Sequence, residues 1–200
     1  MQHPESSETP RFALLIRLQG CLLLVAIALI AWSGVPFSWP GNTGYGALVW
    51  GAVGAVASYA LAMWLTRLSL PVGRSLRRIV SMVHPILAGM SWPQMILVSL
   101  LAGLGEELLF RVWLQEWLAG LFAPTLGVAV ASLLFALMHA MTRLYFILTL
   151  VIGLLLGFAY WQTGSVLLVV TWHALYDLLA IAVITRRPGW LGLGPDGQVV

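Results

Sequence analysis

Residues 94–119 read QMILVSLLAGLGEELLFRVWLQEWLA, an apolar stretch of helix length with charged side chains near its middle. Glu106, Glu107 and Arg111 are the central charges. A charge near the centre of a lipid-spanning helix costs several kcal/mol or more, so such residues are seldom kept for packing alone. Arg111 can neutralise only part of the negative charge, because two carboxylates face one guanidinium. The stretch therefore indicates a membrane helix that borders a polar cavity.

The composition agrees with a membrane protein. The chain of 200 residues is 60% hydrophobic and only 8% charged, far from the mixture that a soluble globular domain contains. Apolar runs long enough to cross a bilayer recur along its whole length. The fold class predicted is all-α, a polytopic membrane protein with about six transmembrane helices, which cover residues 12–32, 45–65, 93–119, 124–140, 144–162 and 166–185.

Positive charge indicates the orientation. The chain contains arginine but no lysine. The arginines outside residues 94–119 lie at or near the termini and in every second loop between the predicted spans, namely Arg11, Arg17, Arg67, Arg74, Arg77, Arg78, Arg143, Arg186 and Arg187. Cytoplasmic loops carry such an excess of basic residues, so both termini are predicted to be cytoplasmic. Residues 1–10 and 188–200 are rich in proline, glycine and serine, and we expect loose tails there.

Residues 69–91 leave two interpretations open. The segment combines arginines with apolar residues, as an amphipathic helix lying against anionic headgroups would. An ordinary basic cytoplasmic loop has the same composition. Neither interpretation implies a nucleic-acid partner, because the topology explains the net charge of +3.

Helical spacing separates the two adjacent glutamates. Glu107 and Arg111 are four residues apart with the acid first, the better order for an ion pair on one helix face. Glu106 is rotated by about 100° from Glu107 and can face a different neighbour. His173 and Asp177 are again four apart and share a face of the last span.

Glu106 is thus free to meet polar groups of other helices across a cavity. Phe135 and His139 repeat the four-residue spacing on the fourth span. His139, His173 and Asp177 around the Glu106 carboxylate form a set able to bind and deprotonate a water molecule. A single histidine inside a membrane is often only a hydrogen bond between helices. Several such groups in three short segments favour a functional site.

Three motifs resemble those of a known family. Residues 105–111, GEELLFR, resemble the EExxxR motif of the CPBP intramembrane proteases (CAAX proteases and bacteriocin-processing enzymes, also called Abi proteins). Residues 135–139, FALMH, resemble the FxxxH motif, and residues 173–177, HALYD, resemble HxxxN or HxxxD. All three in order on successive helices are a strong signal, whereas any one alone would be weak.

The resemblance implies a four-helix catalytic core around a conical cavity open to the membrane and the cytoplasmic face. It implies that Glu106 activates the attacking water with help from His139, and that Phe135 supports the site. By the same resemblance Glu107 pairs with Arg111 to hold the helix, and a second pair of residues stabilises the developing oxyanion, namely His173 and Asp177.

One position departs from the commoner pattern. Many family members have asparagine where this chain has Asp177, and an ionised aspartate cannot donate a hydrogen bond to an oxyanion. Asp177 must be protonated, orient His173 or bind a metal. Glu106, His139, His173 and Asp177 would be the ligands of a Zn²⁺ ion, an acceptable set. The set lacks the HExxH motif and is scattered over three helices. We therefore favour a glutamate mechanism that needs no metal, with Zn²⁺ as the alternative cofactor.

The function predicted is an intramembrane endopeptidase that acts on a membrane-anchored or amphipathic peptide or protein in the lipid bilayer. Prenylated CAAX proteins, bacteriocin precursors and carboxy-terminal sorting tails are all compatible substrates. Alternatives are a zinc-dependent version of the reaction, a transporter with a histidine–glutamate relay, and a catalytically silent immunity protein. A bacterial inner membrane is the expected location.

The chain divides into three parts on this interpretation. Residues 1–92 comprise a tail, two transmembrane helices and a basic cytoplasmic loop. Residues 93–185 form the catalytic transmembrane core that the resemblance covers, and residues 186–200 form a carboxy-terminal tail.

Overall fold

The structure, a computed structural model, describes residues 8–37, 39–194 and 197–199, and most of them lie in helices. The α-helices are α1 (Glu8–Ser33), α2 (Ala47–Arg67), α3 (Pro71–Leu87), α4 (Trp92–Glu107), α5 (Glu116–Leu121), α6 (Pro124–Met138), α7 (Arg143–Thr163) and α8 (Val166–Arg186). A π-helical segment, Leu108–Gln115, joins α4 to α5, and 3-10 turns lie at Gly44–Gly46 and Pro188–Leu191. The predicted all-α membrane protein class is confirmed.

Four helices among the described residues are long and apolar enough to cross a membrane, and they span Arg11–Ser33, Gly44–Arg67, Arg143–Thr163 and Val166–Arg186. They coincide with four of the predicted spans. The third predicted span lies on α4, the π-helical segment and α5, which follow one another without a break. The fourth span is shorter than predicted, because α6 ends at Met138.

The place where α6 ends corrects the predicted position of one site residue. His139 lies just past the helix, not inside a span that reaches residue 140. Its Nδ1 atom is 2.8 Å from the carbonyl oxygen of Phe135, which α6 would otherwise leave without a partner at its last turn. The imidazole thus binds a carbonyl oxygen that a backbone N–H would bind if the helix continued.

The central helix, which consists of α4, the π-helical segment and α5, runs through the middle of the bundle. α1 and α8 pack along α4, α6 packs against the π-helical segment, and α2 and α7 lie farther out, against α8 and α6 respectively. Glu107, Arg111 and Val112 are fully buried as a result. A π-helical segment is rare and often lies at a functional site. Here it begins directly after the two glutamates.

The segment after α2 is helical over Pro71–Leu87, as the first interpretation of residues 69–91 predicts, and its contact with headgroups stays a prediction. In α3, Leu76 and Ile79 are buried against the bundle, while Arg74 and Arg78 are exposed. Arg77 donates hydrogen bonds to the carbonyl oxygens of Thr66 (2.6 Å) and Leu68 (3.2 Å), which ties α3 to the end of α2. The amphipathic pattern therefore serves packing on one side and solvation on the other.

The expectation of a loose carboxy-terminal tail is wrong for the part of it that the structure describes. Leu191 and Leu193 are buried, at 4% exposure each, and Leu193 forms an antiparallel bridge with Val199. These apolar side chains remove their surface from water by packing on the bundle, which a composition rich in glycine and proline conceals. At the other end, residues 1–7 lie outside the described part and helix α1 begins at Glu8.

Candidate active site

A cavity of about 200 Å³ lies between α2, α3, α6, α7 and α8. Its walls are largely apolar, with Leu61 and Leu65 from α2 and Leu148 and Leu155 from α7 among them. α2 and α7 both line it, yet no extensive packing joins these two helices in the described part of the chain. The side chains of His139, His173 and Asp177 form a polar end of this lining, since all three lie near one another.

Glu106 stands beside this polar end. Its Oε2 atom is 3.5 Å from Nε2 of His139 and 3.9 Å from Nε2 of His173. Oε2 is buried, and no described residue forms a hydrogen bond with it. A carboxylate oxygen with a free lone pair beside two imidazole nitrogens is able to hold a water molecule and accept its proton.

Both histidines present their Nε2 atom to Glu106, because the Nδ1 atom of each ring is held by another partner. His139 Nδ1 faces the Phe135 carbonyl oxygen, which can only accept, and His173 Nδ1 is 2.7 Å from Glu107 Oε1. Both Nδ1 atoms must therefore carry the proton in these hydrogen bonds. Each Nε2 atom is left to face the Glu106 carboxylate.

Glu107 contacts two partners, which changes the separation of the glutamates expected from helical spacing. Arg111 Nε donates to Glu107 Oε2 at 3.1 Å, the contact that the four-residue spacing predicts. Oε1 of the same carboxylate accepts from His173. Glu107 thus holds an imidazole of the site as well as Arg111. The contact with α8 could not be inferred from residue spacing along α4.

Phe135 packs against several of these residues at once. Its ring centroid is 4.6 Å from that of His139 and 5.8 Å from that of His173, the latter edge to face. Arg111 Cζ lies 5.2 Å from the same ring, within the range of a cation–π contact. The ring therefore fills the space between α6, α8 and the central helix and limits the motion of both imidazoles.

Asp177 lies on the cavity wall one helical turn beyond His173. Its Oδ2 atom is 3.6 Å from His173 Nε2, and about 30% of its side chain is exposed. Glu107 holds the opposite side of that imidazole through Nδ1. The carboxyl of Asp177 is accessible from the cavity.

The metal hypothesis concerns the same four side chains. Among the residues that the structure describes, no group of three or more His, Cys, Asp or Glu side chains is arranged to hold a metal ion. The Zn²⁺ ligand set considered from the sequence stays a prediction.

Three contributions to the site come from residues outside the motifs. Gln19 on α1 donates from Nε2 to Glu106 Oε1 at 3.2 Å. Helix α2 lines the cavity. Tyr145 lines it from the first turn of α7, where its backbone N–H donates to Thr142 Oγ1 at 3.1 Å. A lone glutamine in a long apolar helix was the available signal for the first, since a polar residue there needs a partner.

Comparison with known proteins bears on the whole site. The model of a family described as "Type II CAAX prenyl endopeptidase Rce1-like" matches residues 88–179, which include all three motifs. No curated protein and no solved structure matches the chain. The matched residues contain Glu106, His139, His173 and Asp177, whereas α1 and α2 lie outside them.

Proposed function

We propose that the protein, whose residues 88–179 belong to the family of CAAX-type intramembrane proteases, hydrolyses a peptide bond of a membrane-associated substrate with water activated by Glu106. The observation that carries the proposal is the free Oε2 atom of Glu106, 3.5 Å from His139 Nε2. In the proposed step, a water bound beside these two atoms gives a proton to Oε2 while its oxygen attacks the scissile carbonyl.

The second half of the reaction uses the same proton. After attack, the tetrahedral intermediate carries an oxyanion, and its C–N bond breaks when the leaving nitrogen receives the proton from Glu106 Oε2. His173 Nε2 donates to the oxyanion when the ring carries both protons, because its Nδ1 proton is committed to Glu107. Asp177 in its neutral form is the second donor from the cavity wall.

We propose that this chemistry proceeds without a metal. A carboxylate base within reach of an imidazole can deprotonate water unaided, a contribution of about 10²- to 10⁴-fold for a positioned acid or base. Arg111 pairs with Glu107 and not with Glu106, so no cationic donor among the described residues occupies the Oε2 atom of Glu106. Zn²⁺ dependence is the competing hypothesis, and chelation distinguishes the two.

The substrate class follows from the cavity and the family. The walls formed by α2 and α7 are apolar, which suits a lipid-anchored or amphipathic peptide more than a hydrated one. The matched family is named for action on CAAX prenyl proteins. We therefore propose a prenylated or similarly lipid-anchored carboxy-terminal segment, which enters between α2 and α7. The arginine pattern supports cytoplasmic termini in a bacterial inner membrane.

The test is cleavage by the full chain in liposomes. The probes are an S-farnesylated peptide that ends in Cys-aliphatic-aliphatic-Met, with a fluorophore and quencher on either side of the cleavage site, and the same peptide without the lipid. We expect cleavage of the lipidated probe, and its loss by about 10³-fold in Glu106→Gln. Glu116→Gln, a matched carboxylate change on the same continuous helix but outside the cavity, should keep the parent rate.

Two results would contradict the proposal. Parent-like cleavage by Glu106→Gln would remove Glu106 as the water activator. If both probes are cleaved at the same rate, and Glu106→Gln cleaves them as fast as the parent does, the proposed site and substrate class are both contradicted.

A further inference from the structure

The catalytic unit matched by the family model is completed by a helix outside it. Gln19 lies on α1, and its Nε2 atom donates to Glu106 Oε1 at 3.2 Å. It contacts the carboxylate oxygen that does not face the imidazoles. The two oxygens of Glu106 are therefore in different environments, one bound by an amide and the other free.

The packing of α1 explains how an amide reaches this depth. Gln19, Leu22, Leu23 and Ala26 share the inner face of α1, at spacings of three and four residues. That face passes close to the backbone of α4 at Gly105, where a Cβ atom would lie 3.1 Å from Leu22 Cδ2 and 3.4 Å from the Leu23 backbone nitrogen. The glycine next to the catalytic carboxylate thus permits the approach that brings Gln19 into contact.

We infer that Gln19 is a positioning residue that holds Oε1 of Glu106, so that Oε2 is the atom that takes the proton of water and returns it to the leaving nitrogen. This inference rests on the proposed function. An amide N–H keeps its proton throughout the reaction, and Oε1 remains an acceptor in both forms of the carboxyl. The contact therefore persists while water's O–H bond breaks, the proton stays on Oε2 and the C–N bond is then cleaved.

Without this contact the carboxyl can rotate about its last bond. The two oxygens then exchange places, and a proton gathered on one of them points at α1 in part of the population. The substrate binds in the cavity on the other side of Glu106, so its affinity does not depend on Gln19. Loss of the contact should lower kcat and leave KM unchanged.

The experiment compares Gln19→Met, which keeps the size of the side chain and removes the donor, with Leu18→Met at the exposed neighbouring position. In liposomes with the farnesylated probe, we expect kcat of Gln19→Met to fall about 10- to 100-fold, the range for a lost hydrogen bond to a charged group, with KM within about twofold. Gln19→Asn, whose amide is too short to reach, should behave like Gln19→Met and serves if the latter does not fold.

An infrared measurement separates positioning from a merely structural role. The carboxylate band of Glu106 is identified as the band lost in Glu106→Gln, and we expect it to shift in Gln19→Met but not in Leu18→Met. An unchanged kcat, or a fall in kcat with an unshifted band, would overturn the inference. Cleavage by Glu106→Gln would overturn the proposed function instead, so the two failures are distinguishable.

Discussion

The two sides of the central helix at Glu106 and Glu107 differ in how fully their polar atoms are bound. On the closed side, Glu107 accepts hydrogen bonds from Arg111 and from His173 Nδ1, and the glutamate and arginine are fully buried. On the open side, Glu106 Oε2 faces His139 and His173 Nε2 without a hydrogen bond from the described residues. We propose that these adjacent residues with identical side chains serve stability on one side and reactivity on the other.

His173 connects the closed side to the open side. Its Nδ1 atom belongs to the first and its Nε2 atom to the second. A change on the closed side should therefore affect both folding and catalysis, whereas a change on the open side should affect catalysis alone.

The largest effect on stability is expected from Arg111→Met. This change leaves the Glu107 carboxylate buried without its cationic partner, and breaking a buried pair in this way costs about 3–5 kcal/mol. The free energy of unfolding should be measured by detergent denaturation, with Arg143→Met as the control. Arg143 is exposed, so that variant should lie within about 0.5 kcal/mol of the parent. Equal stability of the two variants would show that the closed side contributes little to the fold.

A smaller effect is expected at Asp177, and it depends on the replacement. Asp177→Asn keeps a donor toward the oxyanion and should retain kcat within about threefold, whereas Asp177→Ala removes it and should lower kcat about 10²-fold. Cleavage of the farnesylated probe measures both. An asparagine variant as slow as the alanine variant would mean that the negative carboxylate itself is required, as a metal ligand or as a charge.

No effect is expected from removal of metal ions. If Glu106 and His139 activate water by themselves, incubation with 1,10-phenanthroline should leave the initial rate unchanged. The control is the same treatment of a known zinc peptidase in the same liposomes. A loss of activity that added Zn²⁺ restores would contradict the mechanism without metal and favour the four-ligand hypothesis.

The sequence predicts those contacts of the site that lie within one helix. The contact of Glu107 with Arg111 follows from the four-residue spacing, because helical geometry fixes which side chains are neighbours. The convergence of three motif segments agrees with their resemblance to one family. The six helical stretches follow from apolar length and from the turn residues between them.

Contacts between helices could not be predicted in the same way. The hydrogen bond between His173 and Glu107 depends on the rotation of α8 about its axis, which local spacing does not determine. Gln19 reaches Glu106 where α1 packs closely on α4 beside Gly105, a property of the packed pair of helices. At the early end of α6, the His139 side chain contacts a backbone carbonyl, which the apolar pattern does not reveal.

The carboxy-terminal segment shows a different limit of composition as a guide. Glycine and proline are frequent after residue 187, which predicts a loose chain, yet Leu191 and Leu193 are buried. Two apolar side chains at suitable positions are enough to hold a short segment against a helix bundle that is already formed. Only the packed structure shows that such a surface is present.

The most direct test of the account compares Glu106→Gln with Glu107→Gln in one preparation, with kcat on the farnesylated probe and the free energy of unfolding measured for both. We predict that Glu106→Gln loses about 10³-fold in kcat and stays within about 1 kcal/mol of the parent in stability, while Glu107→Gln is destabilised by about 2–4 kcal/mol. A destabilised but active Glu106→Gln, together with a stable but inactive Glu107→Gln, would contradict the assignment of the two glutamates.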